Sequence, residues 1–129
     1  HIILRGGRQP NFDAASVEAA CVELGKAGLA QRLMIDASHA NSQKNHANQV
    51  PVAENIAQQL AAGDTRIIGV MVESHLVAGR QDLVPGKPLT YGQSITDACI
   101  GWDDSVKVLD VLAEGVRERR LKATSFSGK

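Results

Sequence analysis

The sequence is poor in aromatic side chains and has no excess of charge. Its 129 residues include one Trp, one Tyr and two Phe, and 14 basic residues balance 14 acidic ones. Proteins that bind single-stranded nucleic acid use aromatic stacking, and binding to polyanions or anionic membranes needs excess positive charge. The composition therefore argues against a nucleic-acid partner and against electrostatic attraction to a membrane.

Metal-type cysteine motifs and long apolar runs are also missing. The two cysteines, Cys21 and Cys99, are isolated in the sequence, which is typical of free thiols in a reducing cytoplasm. The longest apolar run is about a third of the roughly 20 residues that a membrane-spanning helix needs. We therefore expect a cytoplasmic protein without a membrane partner. The absence of a Walker loop, a dinucleotide glycine fingerprint and a nucleophile elbow argues against nucleotide-binding and serine-hydrolase classes.

Three apolar stretches predict strands that run out into polar residues. They span about residues 1–4, 31–36 and 67–72. The third is rich in β-branched residues, which predicts a strand buried on both faces, as in a parallel sheet. The stretches lead into Arg5, His39 and Glu73. Because α/β proteins place their chemistry at the carboxyl ends of parallel strands, these three side chains are expected to converge at one edge of the sheet.

Amphipathic periodicity predicts three helices, two between the strands and one after residue 102. The first is capped by Asp13 and runs to about Ala27, followed by Gly28 in the left-handed conformation. The last begins near Asp103 or Asp104, either of which can cap it. The apolar stripe of the first helix is Ala14, Val17, Cys21 and Leu24. That of the second is Val52, Ile56 and Leu60, with Pro51 in the first turn. That of the third is Val106, Leu109, Leu112, Ala113 and Val116, and this helix ends with three cations that favour the C-terminal end of the helix dipole, Arg117, Arg119 and Arg120. Cys21 is thus interpreted as core packing.

The remaining segments are predicted as loops. Residues 38–46 are too hydrophilic for a core and are typical of a loop at an active edge. Residues 74–96 have no periodicity and several glycines and prolines, which is typical of a functional loop. Residues 121–129 are expected to form a flexible tail. The alternation of strands and helices predicts an α/β fold with parallel crossovers, and the strand pattern at residue 1 leads us to expect a chain that begins in the middle of a fold.

His39, Glu73 and Asp97 are the residues best suited to hold a divalent metal. One imidazole and two carboxylates suit Mn²⁺, Fe²⁺, Co²⁺ or Zn²⁺, and three protein ligands leave coordination positions for substrate. Their separations match no local motif, so an alternative stays open in which His39 is a hydrogen-bonded residue at the sheet edge. His46 and His75 are interpreted as solvated or hydrogen-bonded loop residues.

Arg5 is a candidate clamp for a phosphate or carboxylate. A guanidinium recognises planar anions through two hydrogen bonds, and the glycines at positions 6 and 7 would let an anion reach backbone amides. The alternative is a surface arginine at the end of a strand in a tight turn.

Four ordered blocks of the sequence resemble the C-terminal part of type I 3-deoxy-D-arabino-heptulosonate 7-phosphate (DAHP) synthase, also called phospho-2-dehydro-3-deoxyheptonate aldolase. The likeness extends from residue 1 to about residue 120. The blocks are residues 1–7 (HIILRGG), 34–42 (MIDASHANS), 69–76 (GVMVESHL) and 94–102 (SITDACIGW).

The resemblance implies the last three βα units of a (β/α)₈ TIM barrel, hence a partial barrel. It also implies condensation of phosphoenolpyruvate with erythrose 4-phosphate, the first step of the shikimate pathway. In the family pattern His39, Glu73 and Asp97 match three ligands of the divalent metal, and Arg5 matches an arginine that binds phosphoenolpyruvate. The family's fourth ligand, a cysteine, and its other anion-binding residues lie on earlier strands, and neither Cys21 nor Cys99 matches that cysteine.

We therefore expect this chain to supply part of an active site and to be inactive by itself. Its open sheet edges predict association with itself or with the missing N-terminal part of the barrel, and the intact protein is expected to be a homo-oligomer. One alternative is a non-catalytic half-barrel that serves as an assembly or regulatory module. Another is a different metal-dependent phosphosugar aldolase on the same barrel.

Overall fold

Three parallel strands, adjacent in chain order, form the main sheet of the computed structural model, which describes residues 1–127. Ile2 pairs with Leu33, and Ile35 pairs with Val70. This arrangement confirms the predicted α/β alternation with parallel crossovers. The elements are β1 (Ile2–Leu4), α1 (Ala14–Lys26), β2 (Leu33–Asp36), α2 (Gln49–Ala61), β3 (Ile67–Met71), β4 (Val77–Arg80), β5 (Gln93–Ser94) and α3 (Trp102–Ser127), with short 3₁₀ turns at His39–Ser42 and His46–Asn48.

Helix α1 begins and ends as its sequence predicts. The Asp13 carboxylate accepts a hydrogen bond from the Ser16 amide at 3.3 Å, which satisfies one of the unpaired N–H groups of the first turn. At the other end Gly28 has φ +71°, the left-handed conformation that glycine adopts without a steric penalty. Of the predicted stripe, Ala14 is exposed, whereas Val17, Cys21 and Leu24 are buried.

The core lies between one face of the sheet and helices α1 and α2. The predicted stripe of α2 is confirmed, and Pro51 lies in the first turn of that helix, where the missing N–H costs nothing. The buried members of this core are Leu4, Val17, Cys21, Leu33, Ile35, Ala37, Val52, Ile56, Leu60 and Ile67.

The prediction that β3 is buried on both faces is wrong. Ile68 is 49% exposed, and Ile3 of β1 is 55% exposed. The helices cover one face only, and within residues 1–127 nothing covers these two side chains. Both side chains are apolar, as a parallel sheet covered on both faces requires. The sequence therefore predicted correctly that this face is apolar, but it did not predict that the face is exposed to solvent.

The long segment predicted as a loop contains a second, two-stranded parallel sheet. Val77 of β4 pairs with Gln93 of β5, and isolated bridges join Ser74 to Ile100 and Gly79 to Cys99. These strands are too short to give a periodic signal. The segment is therefore a small β lobe, defined here as residues 74–100, that lies next to the carboxyl end of β3.

Helix α3 differs from its prediction at both ends. It begins at Trp102, so Asp103 and Asp104 lie in the first turn rather than at the cap, where their charge still favours the helix dipole. It continues to Ser127, so the predicted C-terminal arginines lie within the helix. Residues 121–127 contain no Gly or Pro to stop it. Helical backbone thus covers most of the segment expected as a flexible tail, whose flexibility stays a prediction; residues 128 and 129 lie outside the described residues.

The face of α3 that packs on α2 agrees only in part with the predicted stripe. Two members of the stripe are confirmed because they pack against the core: Leu112 and Val116. Val108 is buried although it was not predicted, whereas Val106 and Leu109 are exposed. The two helices approach closely at Gly115, where an added Cβ would lie 2.7 Å from the Ala57 carbonyl oxygen. This close contact selects the face, which periodicity alone could not locate. Within the described residues no helix is both long and apolar enough to cross a membrane.

Candidate metal centre

The structure brings His39, Glu73 and Asp97 together at the carboxyl end of the sheet. One ligand atom from each residue lies within 4.8 Å of the other two, and His39 Nε2 is 3.6 Å from Glu73 Oε1. Ligand atoms about 2.1 Å from a shared ion lie roughly 3 to 4 Å apart. The three residues therefore fit a divalent metal after only a small contraction, and they are the one such group found within residues 1–127.

His39 is held by the buried carboxylate of Asp36. His39 Nδ1 lies 2.7 Å from Asp36 Oδ2, while Asp36 Oδ1 accepts a hydrogen bond from the Ser38 amide at 2.7 Å. Because a carboxylate can only accept, Nδ1 is the nitrogen that donates to Asp36, and Nε2 is the ring nitrogen that faces Glu73. His39 also has φ +45°, an unusual conformation for a residue with a Cβ. The hydrogen bond to Asp36 thus makes His39 a hydrogen-bonded residue at the sheet edge, and it leaves Nε2 facing Glu73, as a candidate metal ligand requires.

The segment predicted as a hydrophilic loop is in part buried, which corrects the expectation that it lies outside the core. Asn41 is 2% exposed, and its Nδ2 donates to the carbonyls of Leu4 at 3.1 Å and Asp36 at 2.8 Å. Its Oδ1 accepts from the Asn11 amide at 2.7 Å. A polar side chain whose hydrogen bonds are all satisfied can be buried at small cost. Asn41 therefore ties together the ends of β1 and β2.

Arg5 faces the same cavity as the three candidate ligands. The backbone amides expected to assist it are already used, since Gly6 N donates to Asn11 Oδ1 at 2.7 Å and Gly7 N donates to the Gln9 carbonyl at 3.1 Å. Gly6 has φ +79°, and an added Cβ would lie 2.8 Å from Asn41 N. The glycine thus serves a close backbone approach, and the guanidinium is the group left to bind an anion.

Asp97 lies on the exposed part of the centre. Arg80 Nε donates to the carbonyl of Thr96, the preceding residue, at 2.8 Å, and Ser94 Oγ accepts from the Thr96 amide at 3.1 Å. Asp97 itself is exposed. Asp97 thus belongs to the β lobe, whereas the other two candidate ligands, His39 and Glu73, follow the C-terminal ends of β2 and β3 by two or three residues.

A cavity of about 420 Å³ is lined by Arg5 and the three candidate ligands. Two basic residues that line the cavity, Lys44 and Arg80, were not predicted from the sequence as site residues. His46, which was interpreted as a loop residue, also lines the cavity, and like Lys44 it belongs to the segment predicted to lie at an active edge. His75, the other loop histidine, is exposed. A larger, more open depression of about 680 Å³ lies between α1 and α2, but it contains none of the three ligands. The cavity is lined by Arg5, Ser38, His39, Ala40, Ser42, Lys44, His46, Glu73, Arg80, Asp97 and Ala98.

Cys99, next to the centre, is not activated as a thiolate. Burial raises the pKa of its thiol, a hydrogen bond with Ser94 offsets part of this, and the carboxylates of Glu73 and Asp97 raise it further. In the metal-free protein the thiol is therefore protonated at neutral pH. Cys21 is fully buried in the core, as predicted, and both cysteines are free.

Comparison with known proteins gives consistent matches along the chain. The DAHP synthetase I family matches residues 1–110. The phospho-2-dehydro-3-deoxyheptonate aldolase of Haemophilus influenzae is 56% identical over 126 residues, covering 97% of this chain and 34% of the relative. The Phe-sensitive aldolase of Escherichia coli K12 is 55% identical over 120 residues, covering 93% of this chain and 34% of the relative. The tyrosine-inhibited aldolase of Schizosaccharomyces pombe is 54% identical over 130 residues, covering 96% and 35%.

A solved structure supports the same relationship. The phospho-2-dehydro-3-deoxyheptonate aldolase of Francisella tularensis SCHU S4 matches with a TM-score of 0.87 and 48% identity, over 92% of this chain and 35% of that one. The chain is thus an α/β segment that matches part of a barrel structure, and it spans about a third of the length of the curated relatives it matches.

Proposed function

Because this chain belongs to the DAHP synthetase I family, we propose that it supplies the metal-binding part of the active site of a DAHP synthase. The reaction is the condensation of phosphoenolpyruvate with D-erythrose 4-phosphate, which releases phosphate and opens the shikimate pathway. Strands β1, β2 and β3 are then barrel strands six, seven and eight. The observation that carries the proposal is the convergence of His39, Glu73 and Asp97 within 4.8 Å, in the same cavity as Arg5.

His39, Glu73 and Asp97 hold the divalent metal, which is Mn²⁺, Fe²⁺, Co²⁺ or Zn²⁺. When bound, this ion supplies Lewis-acid polarisation of the aldehyde oxygen of erythrose 4-phosphate. Asp36 keeps the proton on His39 Nδ1 and so leaves Nε2 free as a ligand. The two carboxylates and the neutral imidazole give the centre a negative charge that favours a divalent cation.

Arg5 binds the phosphoenolpyruvate anion. Its guanidinium donates paired hydrogen bonds to a carboxylate or phosphate, neutralises part of the charge, and orients C3 of the enol toward the aldehyde carbon. Lys44 and Arg80 line the same cavity and add positive charge for two phosphorylated substrates. Binding both substrates in one cavity lowers the entropic cost of bringing the two carbons together.

The rest of the site comes from sequence that this chain does not contain. The family pattern places a cysteine ligand and further anion-binding residues on earlier barrel strands, which would cover the open face marked by Ile3 and Ile68. We propose that the chain is inactive or nearly so by itself, that the intact protein is a homo-oligomer, and that it is cytoplasmic, in keeping with its free thiols.

The second candidate is a non-catalytic half-barrel that assembles with or regulates another chain. The apolar open face of the sheet favours it, because exposed apolar surface of this kind marks an interface. The two candidates differ in whether Arg5 and the three ligands are needed.

The deciding experiment measures phosphoenolpyruvate consumption with erythrose 4-phosphate and Mn²⁺ after chelator treatment. The chain is assayed alone and mixed with the upstream two-thirds of the Haemophilus influenzae relative. We expect metal-dependent turnover only in the mixture, and its loss when the mixed chain carries Arg5→Ala. Turnover that persists with Arg5→Ala, or with His39→Ala, would contradict the proposed site and favour the assembly module.

A further inference from the structure

Gln49, the first residue of α2, binds the backbone of Glu73 with both ends of its amide. Its Oε1 accepts a hydrogen bond from the Glu73 amide at 2.8 Å, and its Nε2 donates to the Glu73 carbonyl at 3.0 Å. The side chain is 0% exposed. A glutamine at this position, three residues before Val52 on the apolar stripe, has no packing advantage over leucine. Its burial therefore indicates a specific polar task.

The hydrogen bonds of Glu73 identify that task. Strand β3 ends at Met71, so the amide of Glu73 has no partner in the main sheet, and Gln49 is its acceptor. The Glu73 carbonyl has two donors, because the Ile100 amide also reaches it at 3.0 Å. The backbone of Glu73 is thus fixed on one side by α2 and on the other by the β lobe. Within the described residues, Gln49 is the only hydrogen-bond acceptor of the Glu73 amide, whereas the Glu73 carbonyl has a second donor.

Fixing this backbone determines where the carboxylate lies. Glu73 Oε1 is 3.6 Å from His39 Nε2, and a ligand must be held within about 0.5 Å of its productive position. Without Gln49 the Glu73 amide would have to find water or another acceptor, and the chain beyond β3 would move with it. The Glu73 carboxylate would then occupy its metal-binding position for only a fraction of the time. The apparent metal affinity falls in proportion to that fraction.

We propose that Gln49 is a positioning residue that holds Glu73 in its metal-binding geometry. This inference rests on the proposed metal centre, since it assigns Gln49 a role only through Glu73. Gln49 does not touch the ion or either substrate. Its effect is therefore expected in metal affinity and in the geometry of the bound ion.

The test compares Gln49→Leu with a matched control, Gln59→Leu. Gln59 lies on the same helix and is also buried, and its Nε2 donates to a backbone carbonyl, that of Phe12, at 2.8 Å. Both variants remove a buried amide that binds backbone, but only one contacts the metal centre. Mn²⁺ binding to the 129-residue chain, mixed with the upstream two-thirds of the Haemophilus influenzae relative, is titrated by electron paramagnetic resonance from micromolar to millimolar concentrations. Unfolding of the 129-residue chain by urea is measured in parallel.

We expect Gln49→Leu to weaken Mn²⁺ binding about 10- to 100-fold, the usual effect of a residue that supports a ligand, and to broaden the spectrum of the bound ion. Gln59→Leu is expected to leave affinity within about twofold of the unsubstituted chain. If Gln49→Leu and the unsubstituted chain bind Mn²⁺ with equal affinity, the positioning role of Gln49 is overturned while the proposed metal centre stands. No Mn²⁺ binding by the unsubstituted chain in the mixture with the upstream part of the relative would overturn the metal centre as well.

A second measurement decides the case if Gln49→Leu does not fold. Amide hydrogen exchange in the unsubstituted chain is expected to protect Glu73 N–H about as strongly as the paired amides of β3, because Gln49 accepts from it inside the fold. Exchange of the Glu73 amide at the rate of an unprotected residue would overturn the proposal. Protection, combined with the titration of the unsubstituted chain, would support it.

Discussion

The two ends of the main sheet differ in how their charged side chains are compensated. At the carboxyl end, His39, Glu73 and Asp97 face one another, and within residues 1–127 no Lys or Arg nitrogen lies within ion-pair distance of either carboxylate. At the amino end, Arg66 binds Asp64 at 3.0 Å and Glu18 at 2.7 Å. Both ends contain acidic groups, but among the described residues only the amino end has a Lys or Arg in ion-pair contact with them.

The titration behaviour of the amino end reflects this pairing. Burial alone would raise the pKa of Asp64, but hydrogen bonds from Arg66 outweigh it, so the pKa lies below its usual range. The hydrogen bonds to Asp64 and Glu18 raise the pKa of Arg66. Arg119 of α3 adds a bond from its Nη1 to the Asp64 carbonyl at 3.0 Å. This end therefore stabilises the fold, whereas we propose that the carboxyl end binds a divalent cation.

Replacing His39 is expected to have the largest effect, because it removes one of three ligands. His39→Ala should lower Mn²⁺ affinity by at least about 100-fold, or about 2.7 kcal/mol, in a calorimetric titration. His75→Ala is the matched control, since His75 is an exposed histidine near the same strand end. Unchanged metal binding in His39→Ala, or an equal loss in His75→Ala, would remove the basis for assigning the carboxyl end to metal binding.

Replacing Asp64 should act on stability alone. Asp64→Asn is expected to lower the free energy of unfolding by about 1 to 3 kcal/mol at pH 7, the range for hydrogen bonds to charged groups, while Mn²⁺ affinity is unchanged. Because folding lowers the pKa of Asp64, its stabilisation is present above the unfolded-state pKa of about 4 and is lost as the pH falls through the folded value.

Urea unfolding at pH 7 and pH 3 measures that difference. The two chains should differ in stability at pH 7 and approach each other at pH 3. A difference that stays constant between the two pH values would show that the carboxylate charge of Asp64 is not what stabilises the amino end.

Replacing Glu18 should have the smallest effect. Its ion pair with Arg66, at 2.7 Å, is shorter than the 3.0 Å pair formed by Asp64, but the Glu18 side chain is 61% exposed, against 15% for Asp64. Solvent screening and side-chain entropy reduce such pairs to within about 1 kcal/mol. We expect Glu18→Gln to shift the urea midpoint less than Asp64→Asn at pH 7. A shift larger than that of Asp64→Asn would mean that burial does not rank the two ion pairs.

The sequence predicted the main sheet because its signals are local. The β-branched runs, the Asp13 cap and the stripe of α2 depend on neighbours within one or two helical turns, and each is confirmed. The two strands of the β lobe and the packed face of α3 depend on contacts between distant residues. Val106 and Leu109 have helical spacing, yet Gly115 against Ala57 decides which face is buried.

The residues of the candidate centre also fall into two groups, those that the sequence singled out and those that only the structure identified. Residue type and position at strand ends singled out Arg5, His39 and Glu73, and chemistry added Asp97. Asp36, Asn41 and Gln49, which hold these groups, gave no comparable signal, except that Gln49 is a polar residue on an apolar stripe. Their role is set by which backbone groups lie within hydrogen-bond reach after folding, and spacing along the chain does not contain that information.

The sequence by itself determined the alternation of strands and helices, the family, and the kinds of side chain placed at the ends of the strands. Those properties follow from local periodicity and from residue chemistry. Only the tertiary structure decided that three candidate ligands separated along the chain lie within 4.8 Å, and that buried amides and a buried carboxylate hold their backbone and side chains. Distances of this kind arise when the helices pack on the sheet, because packing fixes the positions of residues that the chain alone leaves independent.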